Sequence, residues 1–281
     1  MSKHELNEEP QPSANPSVVG RFLDMPNDSI FKTFAVAILL CLICSFFVSM
    51  SATVLKPLQI ANKELDKRKN ILAVAGIPFT NETINQAFDQ IDSRVVDLET
   101  GEYTEVVNAE TFDQLSASKD PEYSVDVASE IDIATIGSRS RYAVVYQIND
   151  ANGDLEKLVL PVRGYGLWGT LYGFIALHAD MQTAAGLKFY EHKETPGLGA
   201  KVDNLDWQAQ WDGKKAIDSN GLVTVSLIKG LVAPGDPDAA KKIDGLSGAT
   251  LTSNGVNNLV HYWLGDHAFG PFLNKLRNSR G

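Results

Sequence analysis

Two short segments carry residue types that could do chemistry. The first is Asp244-Gly245-Leu246-Ser247-Gly248-Ala249-Thr250, followed by Leu251-Thr252-Ser253. Small residues expose the Thr250 hydroxyl. An apolar pattern of helical period follows, and a helix start offers unpaired backbone N–H groups and a positive dipole end. A phosphate there would be well placed. The plain alternative is an ordinary loop with Thr252 or Ser253 as the helix cap. At about 7% each for Ser, Gly, Ala and Thr, a Ser-Gly-Ala-Thr arises by chance in roughly one chain in 150 of this length. The second segment is Glu194-Thr195-Pro196-Gly197-Leu198-Gly199. Proline among glycines makes a rigid turn whose backbone can approach a flat ligand closely. Alone it is weak evidence, because most such stretches are only turns.

The elements that must hold these segments are mostly strands. Tyr142–Ile148 and Leu158–Val162 flank an Asn152-Gly153 turn and predict a hairpin. Leu171–His178 and Leu187–His192 predict two more paired strands, and Leu222–Ile228 another with clean alternation. His178 and His192 read as strand-face residues, not ligands. The Gly-rich run Gly164-Tyr165-Gly166-Leu167-Trp168-Gly169 precedes the third strand. The long helical pattern late in the chain starts near Ser253, with Val256, Leu259, Val260, Trp263 and Leu264 on one face. Earlier, Lys56 to Ala75 predicts a helix. Asn81 to Ile91 predicts a second, capped by Thr80 or Asn81, with Ile84, Phe88 and Ile91 on one face. No internal repeat is visible, so one soluble domain is expected, of α+β class with a mostly antiparallel sheet.

Composition narrows the function classes. The 281 residues carry 25 Lys+Arg against 35 Asp+Glu, a formal net charge of -10. That balance argues against a nucleic-acid-binding domain, which would show a basic face. Between Asp97 and Asp132 lie eleven carboxylates and one lysine, Lys119, which equals the whole net charge. Such runs usually solvate a surface; an acidic docking or cation-attracting face is the minority reading. Two cysteines exclude a disulfide scaffold or a four-cysteine metal site within the chain, and five scattered histidines show no ligand spacing. No metal site is expected.

From Thr33 to Leu55 there are 23 residues without a charge. A spanning helix needs roughly 20. Ser49-Met50-Ser51-Ala52 is a weak candidate cleavage site, and the apolar run continues past it, so an uncleaved anchor is expected. Cys41 and Cys44 form a C-x-x-C inside the anchor. At that depth they read as small apolar packing residues, not a redox pair. Lys3, Arg21 and Lys32 precede the span, and Lys56, Lys63, Lys67, Arg68 and Lys69 follow it. The positive-inside rule taken literally leaves the following domain in the cytoplasm, but it is weak when that domain is long. Residues 1–20 are polar and Pro/Asn-rich and read as a disordered tail.

The segment Asp244–Thr250 resembles the flavinylation motif of proteins that carry FMN on threonine through a phosphodiester. The Glu194–Gly199 turn resembles the other hallmark of that FMN-binding domain. The anchor, Lys69–Gly76 and Gly164–Leu177 resemble the C subunits of the Na+-translocating NADH:quinone reductases, from about Phe31 to Pro271. The resemblance implies an electron relay from NADH toward ubiquinone, coupled by the complex to Na+ export, with no catalytic residue in this chain. Thr250 would be the attachment residue. Ser247, Gly248, Ala249, Leu251, Thr252, the turn from Glu194 through Thr195, Pro196, Gly197 and Leu198 to Gly199, and Leu167 and Trp168 would contact the cofactor. Asp244, Ser247, Gly248, Ala249 and Thr250 would be presented to a separate flavin transferase. The other partners implied are the membrane and peripheral subunits of the reductase. The implied location is the bacterial inner membrane, single-pass, with the flavin domain on the periplasmic side.

On this reading the chain divides into a disordered cytoplasmic tail (1–30), a transmembrane helix (31–56) and a helical, acidic stretch (57–141). The FMN-binding core (142–272) and a C-terminal tail (273–281) complete it. Two other readings stay open: a flavin-carrying subunit of an Rnf-type electron-transport complex, and a cofactor-free membrane-anchored binding module.

Overall fold

The computed structural model describes residues 18–23 and 25–279, so the first 17 residues of the tail expected over 1–30 lie outside the described residues, and a short helix falls within the rest of it. The chain divides into two compact units, one ending at Asn62 and the other beginning at Lys63. In the first, α1 (Val18–Leu23) precedes the start of α2 (Ile30–Ala75). This second helix is continuous over 46 residues, so the anchor and the helix expected after it are one element. It is long and apolar enough to cross a membrane. The span is followed at once by Lys56, and Pro57 lies inside the helix.

The second unit is built on a six-stranded antiparallel sheet ordered β2-β1-β5-β6-β7-β8. Its strands are β1 (Ile91–Asp97), β2 (Glu102–Thr104), β5 (Tyr142–Asn149), β6 (Leu155–Tyr165), β7 (Thr170–His178) and β8 (Ala184–Glu191). Two small ribbons complete the strands: β3 (Ser124–Asp126) with β4 (Ser138–Ser140), and β9 (Ser226–Leu227) in parallel with β10 (Lys242–Ile243).

Both faces of the sheet are covered, so β5 is buried from Tyr142 to Ile148, its one polar side chain there being Gln147. Tyr142, Val144, Tyr146 and Ile148 pack with Ile71, Leu72, Val74 and Ala75 from the end of α2 and Ile84 of the short helix α3 (Ile84–Phe88). Ala143 and Val145 face the other way. There, Val256, Leu259, Val260 and Trp263 of α6 (Thr250–Leu264) join Phe272 and Leu273 of α7 (Gly270–Asn278). The remaining helices, α4 (Gln114–Ala117) and α5 (Leu205–Ala209), are single turns with Asx caps, Asp113 and Asn204.

Several expectations are corrected. The helix expected over 81–91 covers only α3, because Ile91 opens a strand that pairs with β5 through Ile148. Neither Thr80 nor Asn81 caps it. Thr83 holds that position, and its hydroxyl accepts from the Thr80 amide instead. The sheet therefore begins at Ile91, well before Tyr142, inside the stretch read as helical and acidic. The strand expected over Leu222–Ile228 is reduced to Ser226–Leu227, with Val223 bridging Ile217. The tail expected over 273–281 starts inside α7, where Leu273 is buried.

Candidate functional site

Two loops and one helix end converge on a single buried carboxylate, that of Glu194. The turn between β6 and β7 is closed by a Gly166 N–H bond to the Gly169 carbonyl at 2.8 Å. Its next two amides, Leu167 N and Trp168 N, donate to Glu194 Oε1 at 2.9 and 3.0 Å. From the opposite side, the Thr252 hydroxyl donates to Glu194 Oε2. Glu194 and Thr252 are both buried. A Cβ at Gly166 would lie 2.5 Å from Glu194 Oε1, and one at Gly199 would lie 2.7 Å from Thr252 Oγ1. Glycine at these two positions is thus required by the carboxylate wrapped between them.

Helix α6 lies flush against the end of β6. A Cβ at Gly255 would be 2.9 Å from Gly166 Cα, and one at Gly164 would be 2.5 Å from Leu259 Cβ. One turn further on, Trp263 Nε1 donates to the Arg163 carbonyl at 2.6 Å. A mid-helix glycine costs about 1 kcal/mol relative to alanine and usually has a packing reason. At Gly255 the reason is this close approach, and an isolated glycine inside an amphipathic pattern is its only sequence signal.

The loop before α6 is equally defined. Ala249 N donates to the Leu246 carbonyl at 2.9 Å, and Leu246 N to Ser253 Oγ at 3.0 Å. Gly248 takes φ +80°, a left-handed conformation that favours glycine, with Leu198 Cδ2 3.0 Å from where its Cβ would be. Lys201 Nζ donates to the Ser247 carbonyl at 3.0 Å. The helix starts at Thr250, three residues before the expected start. Thr252 and Ser253 are therefore not caps but buried members of the first turn. The N-cap is Ala249, which has no side chain able to accept, so among the described residues the first amides of α6 lack a side-chain partner. Thr250 itself, at the first helical position, is exposed.

Other expected site residues sort clearly. Leu167, Trp168, Leu198 and Leu251 are exposed apolar side chains on the segments that meet here. Thr195, Pro196 and Gly197 form the turn, where the Thr195 carbonyl accepts from Leu198 N and Ala200 N. Asp244 is used within the fold: Oδ1 accepts from Val232 N at 2.7 Å and Oδ2 from Gln210 Nε2 at 3.1 Å. It shapes the loop from inside. His192, from sequence a strand-face residue, does more. Its Nδ1 accepts from Glu194 N at 3.2 Å, and Nε2 lies 2.8 Å from Asp203 Oδ2, so it braces the start of the turn. Lys201 has no sequence signal, because its role depends on the 3₁₀ turn Gly199–Asp203 that aims it.

The arrangement is an exposed hydroxyl at an uncapped helix start, bordered by exposed apolar side chains and tight glycines. It suits a phosphate carrying a flat aromatic group: the free amides and dipole favour the anion, and the apolar side chains offer a surface to the ring. The family of FMN-binding domains matches residues 166–265, which include Leu167, Trp168, Glu194 and Thr250. The C subunit of the Na+-translocating NADH-quinone reductase of Pseudomonas aeruginosa is 46% identical over 256 residues, covering 90% of this chain and 98% of that protein. This chain belongs to the same family of C subunits. Its Vibrio alginolyticus relative is 45% identical over 255 residues, covering 90% of this chain and 97% of that protein. The crystal structure of NqrC from Shewanella oneidensis superposes with a TM-score of 0.71 at 33% identity, over 77% of this chain and 99% of that one. The C subunit from Parabacteroides distasonis gives 0.60 at 25% identity, over 79% and 96%.

The chain is accordingly a subunit of an oxidoreductase complex and carries an FMN-binding domain. Family membership displaces the Rnf-type reading, and the domain match argues against a cofactor-free module. The fold expected from the resemblance, an apolar N-terminal helix followed by an antiparallel-sheet domain, is the fold observed.

Proposed function

We infer that this chain is the membrane-anchored flavin carrier of a Na+-translocating NADH:quinone reductase, with FMN joined through its phosphate to Thr250 Oγ1. The observation that carries this is the position of Thr250: exposed, at the first residue of α6, after an N-cap that leaves the helix amides without a side-chain partner among the described residues. A phosphodiester there would keep one negative charge, which those amides favour by about 0.3–1 kcal/mol where exposed. When bound, FMN supplies reversible electron transfer, here between NADH and ubiquinone through the other subunits, and the complex couples that flow to Na+ export.

The chain's own residues bind and orient. Thr250 is a tether. Among the described residues its hydroxyl makes no hydrogen bond to a carboxylate or imidazole, and an unassisted threonine hydroxyl is a weak nucleophile. A separate flavin transferase would make the bond, reading Ser247, Gly248, Ala249 and Thr250 on a loop that Asp244 holds in shape. Tethering suits an electron carrier, because the cofactor stays in place in every oxidation state. Leu167, Trp168, Leu198 and Leu251 offer the apolar contact surface.

The Ile30–Ala75 helix would anchor the chain in the bacterial inner membrane, with the flavin domain on the periplasmic side. Its uncharged stretch, residues 33–55, holds no carboxylate. The ion path would then run through other subunits. A denaturing gel under ultraviolet light tests the attachment: a fluorescent band at the mass of the chain, lost in Thr250→Ala, is expected. A band that persists in Thr250→Ala would refute it.

A further inference from the structure

Glu194 is the one buried carboxylate on which the walls of the candidate site depend. Burying an ionisable group is costly unless its lone pairs are met, and here both oxygens accept. Oε1 takes the two consecutive amides of Leu167 and Trp168, and Oε2 takes the Thr252 hydroxyl. The first pair belongs to the β6–β7 turn, and the third to the first turn of α6. Glycines at 166 and 199 make the space that the carboxylate fills, since a Cβ at either would strike it. Its own backbone amide is held by His192 Nδ1 at 3.2 Å. A hydrophobic residue of similar volume would fill the same space but could satisfy none of these donors.

We propose that Glu194 is the positioning residue of the flavin site: its carboxylate fixes the Leu167–Trp168 turn against the first turn of α6, and so sets the apolar wall relative to Thr250. The inference rests on the reading of this region as a flavin site. It assigns Glu194 a role through other residues and does not require it to touch the cofactor. Glutamine keeps one oxygen for the two amides and turns an NH2 toward Thr252, whose hydroxyl can accept. It therefore rescues most of the geometry. Alanine removes both links. Thr252→Val, close in shape, removes only the link to α6.

The test uses the full-length chain in detergent, with amide hydrogen exchange and visible circular dichroism of the flavin bands as readouts. In Glu194→Ala, the Leu167 and Trp168 amides should exchange roughly tenfold faster or more, the loss of hydrogen bonds to a charged acceptor. Ile175 and Leu177 in β7 should stay protected, and the visible dichroism should collapse. Glu194→Gln should restore most of both signals. Thr252→Val should leave Leu167 and Trp168 protected while weakening the dichroism. If Glu194→Ala also exposes β7, the glutamine and valine variants decide. Unchanged exchange at Leu167 and Trp168 in Glu194→Ala would overturn the proposal. So would a glutamine variant as impaired as the alanine one, or native dichroism in Thr252→Val. Absence of flavin from the wild-type chain would instead remove the flavin reading, while the amide exchange still reports on the clamp.

Discussion

The two glycines of the Glu194–Gly199 turn make a sharp comparison. At Gly197, φ is +78° and nothing lies within 4 Å of where a Cβ would be. Alanine there meets only backbone strain, about 1–2 kcal/mol for an L-residue held in the left-handed region. At Gly199, φ is ordinary but a Cβ would lie 2.7 Å from Thr252 Oγ1 and 2.9 Å from Glu194 Cβ, and it would also strike Glu194 Oε2. The carboxylate would have to move off Leu167 N and Trp168 N. Overpacking costs about 1–3 kcal/mol, and displaced bonds to a charged acceptor about 1.5–3 kcal/mol. Together Gly199→Ala should destabilise by about 2.5–6 kcal/mol, against a total near 5–15 kcal/mol for a domain. Denaturant titration of the detergent-solubilised chain, followed by the fluorescence of buried Trp207, Trp211 and Trp263, measures both. In a Glu194→Ala background, Gly199→Ala should cost about 1.5–3 kcal/mol less, because the carboxylate and its bonds are already gone while the contacts with the Cβ of residue 194 and with Thr252 Oγ1 remain. A Gly199→Ala cost no greater than that at Gly197, or an unchanged cost in the double variant, would refute the reasoning.

Further predictions concern packing, pH and topology. Gly255→Ala should push α6 off Gly166 and destabilise by about 1–3 kcal/mol, visible in the same titration; a neutral or stabilising result would contradict the close approach. Trp168→Ala should change stability by less than about 0.5 kcal/mol, since the residue is 62% exposed, yet should alter the fluorescence of bound flavin; native flavin fluorescence would place the ring elsewhere. Asp97 is buried, which opposes ionisation, but Arg141 at 2.8 Å and the amides of Glu99 and Thr100 outweigh burial and hold its carboxyl below the usual aspartate range. A lowered folded-state pKa means stability that is full above about pH 4, the unfolded value, and lost as pH falls through the folded one. Asp97→Asn should therefore flatten the decline in unfolding free energy below about pH 4, and an unaltered decline would count against this. A reporter fused after Gly281 should be active only outside the cytoplasm; cytoplasmic activity would vindicate the charge count around the anchor.

How much of this is legible in the sequence depends on the range of the interactions. The hairpin at Asn152-Gly153 and the strands after it rest on local alternation and turn chemistry, and all appear in the sheet within a few residues. The strand at Ile91 is hidden because Ile84, Phe88 and Ile91 fit a helical period. Its pairing with β5, more than fifty residues later, overrides that local pattern. Leu222–Ile228 alternates well but finds ladder partners only at Ser226 and Leu227, with a single bridge at Val223, so most of the alternating run forms no strand. At the site, the motif singles out Thr250. The start of α6 at Thr250 is not legible, because Ala at an N-cap gives no side-chain signal. The convergence of Glu194, Leu167, Trp168 and Thr252 joins residues up to 85 positions apart in sequence and becomes visible only with the fold.

The central claim is that Thr250 carries the flavin. Its most direct test is peptide mass spectrometry of the chain purified from cells that also produce a flavin transferase. The account predicts an added FMN, joined through phosphate, on the peptide containing Thr250, and its absence from Thr250→Ala. An FMN mapped to Ser247 or Thr252, or an unmodified Thr250 in chain that nonetheless retains flavin after denaturation, would contradict it.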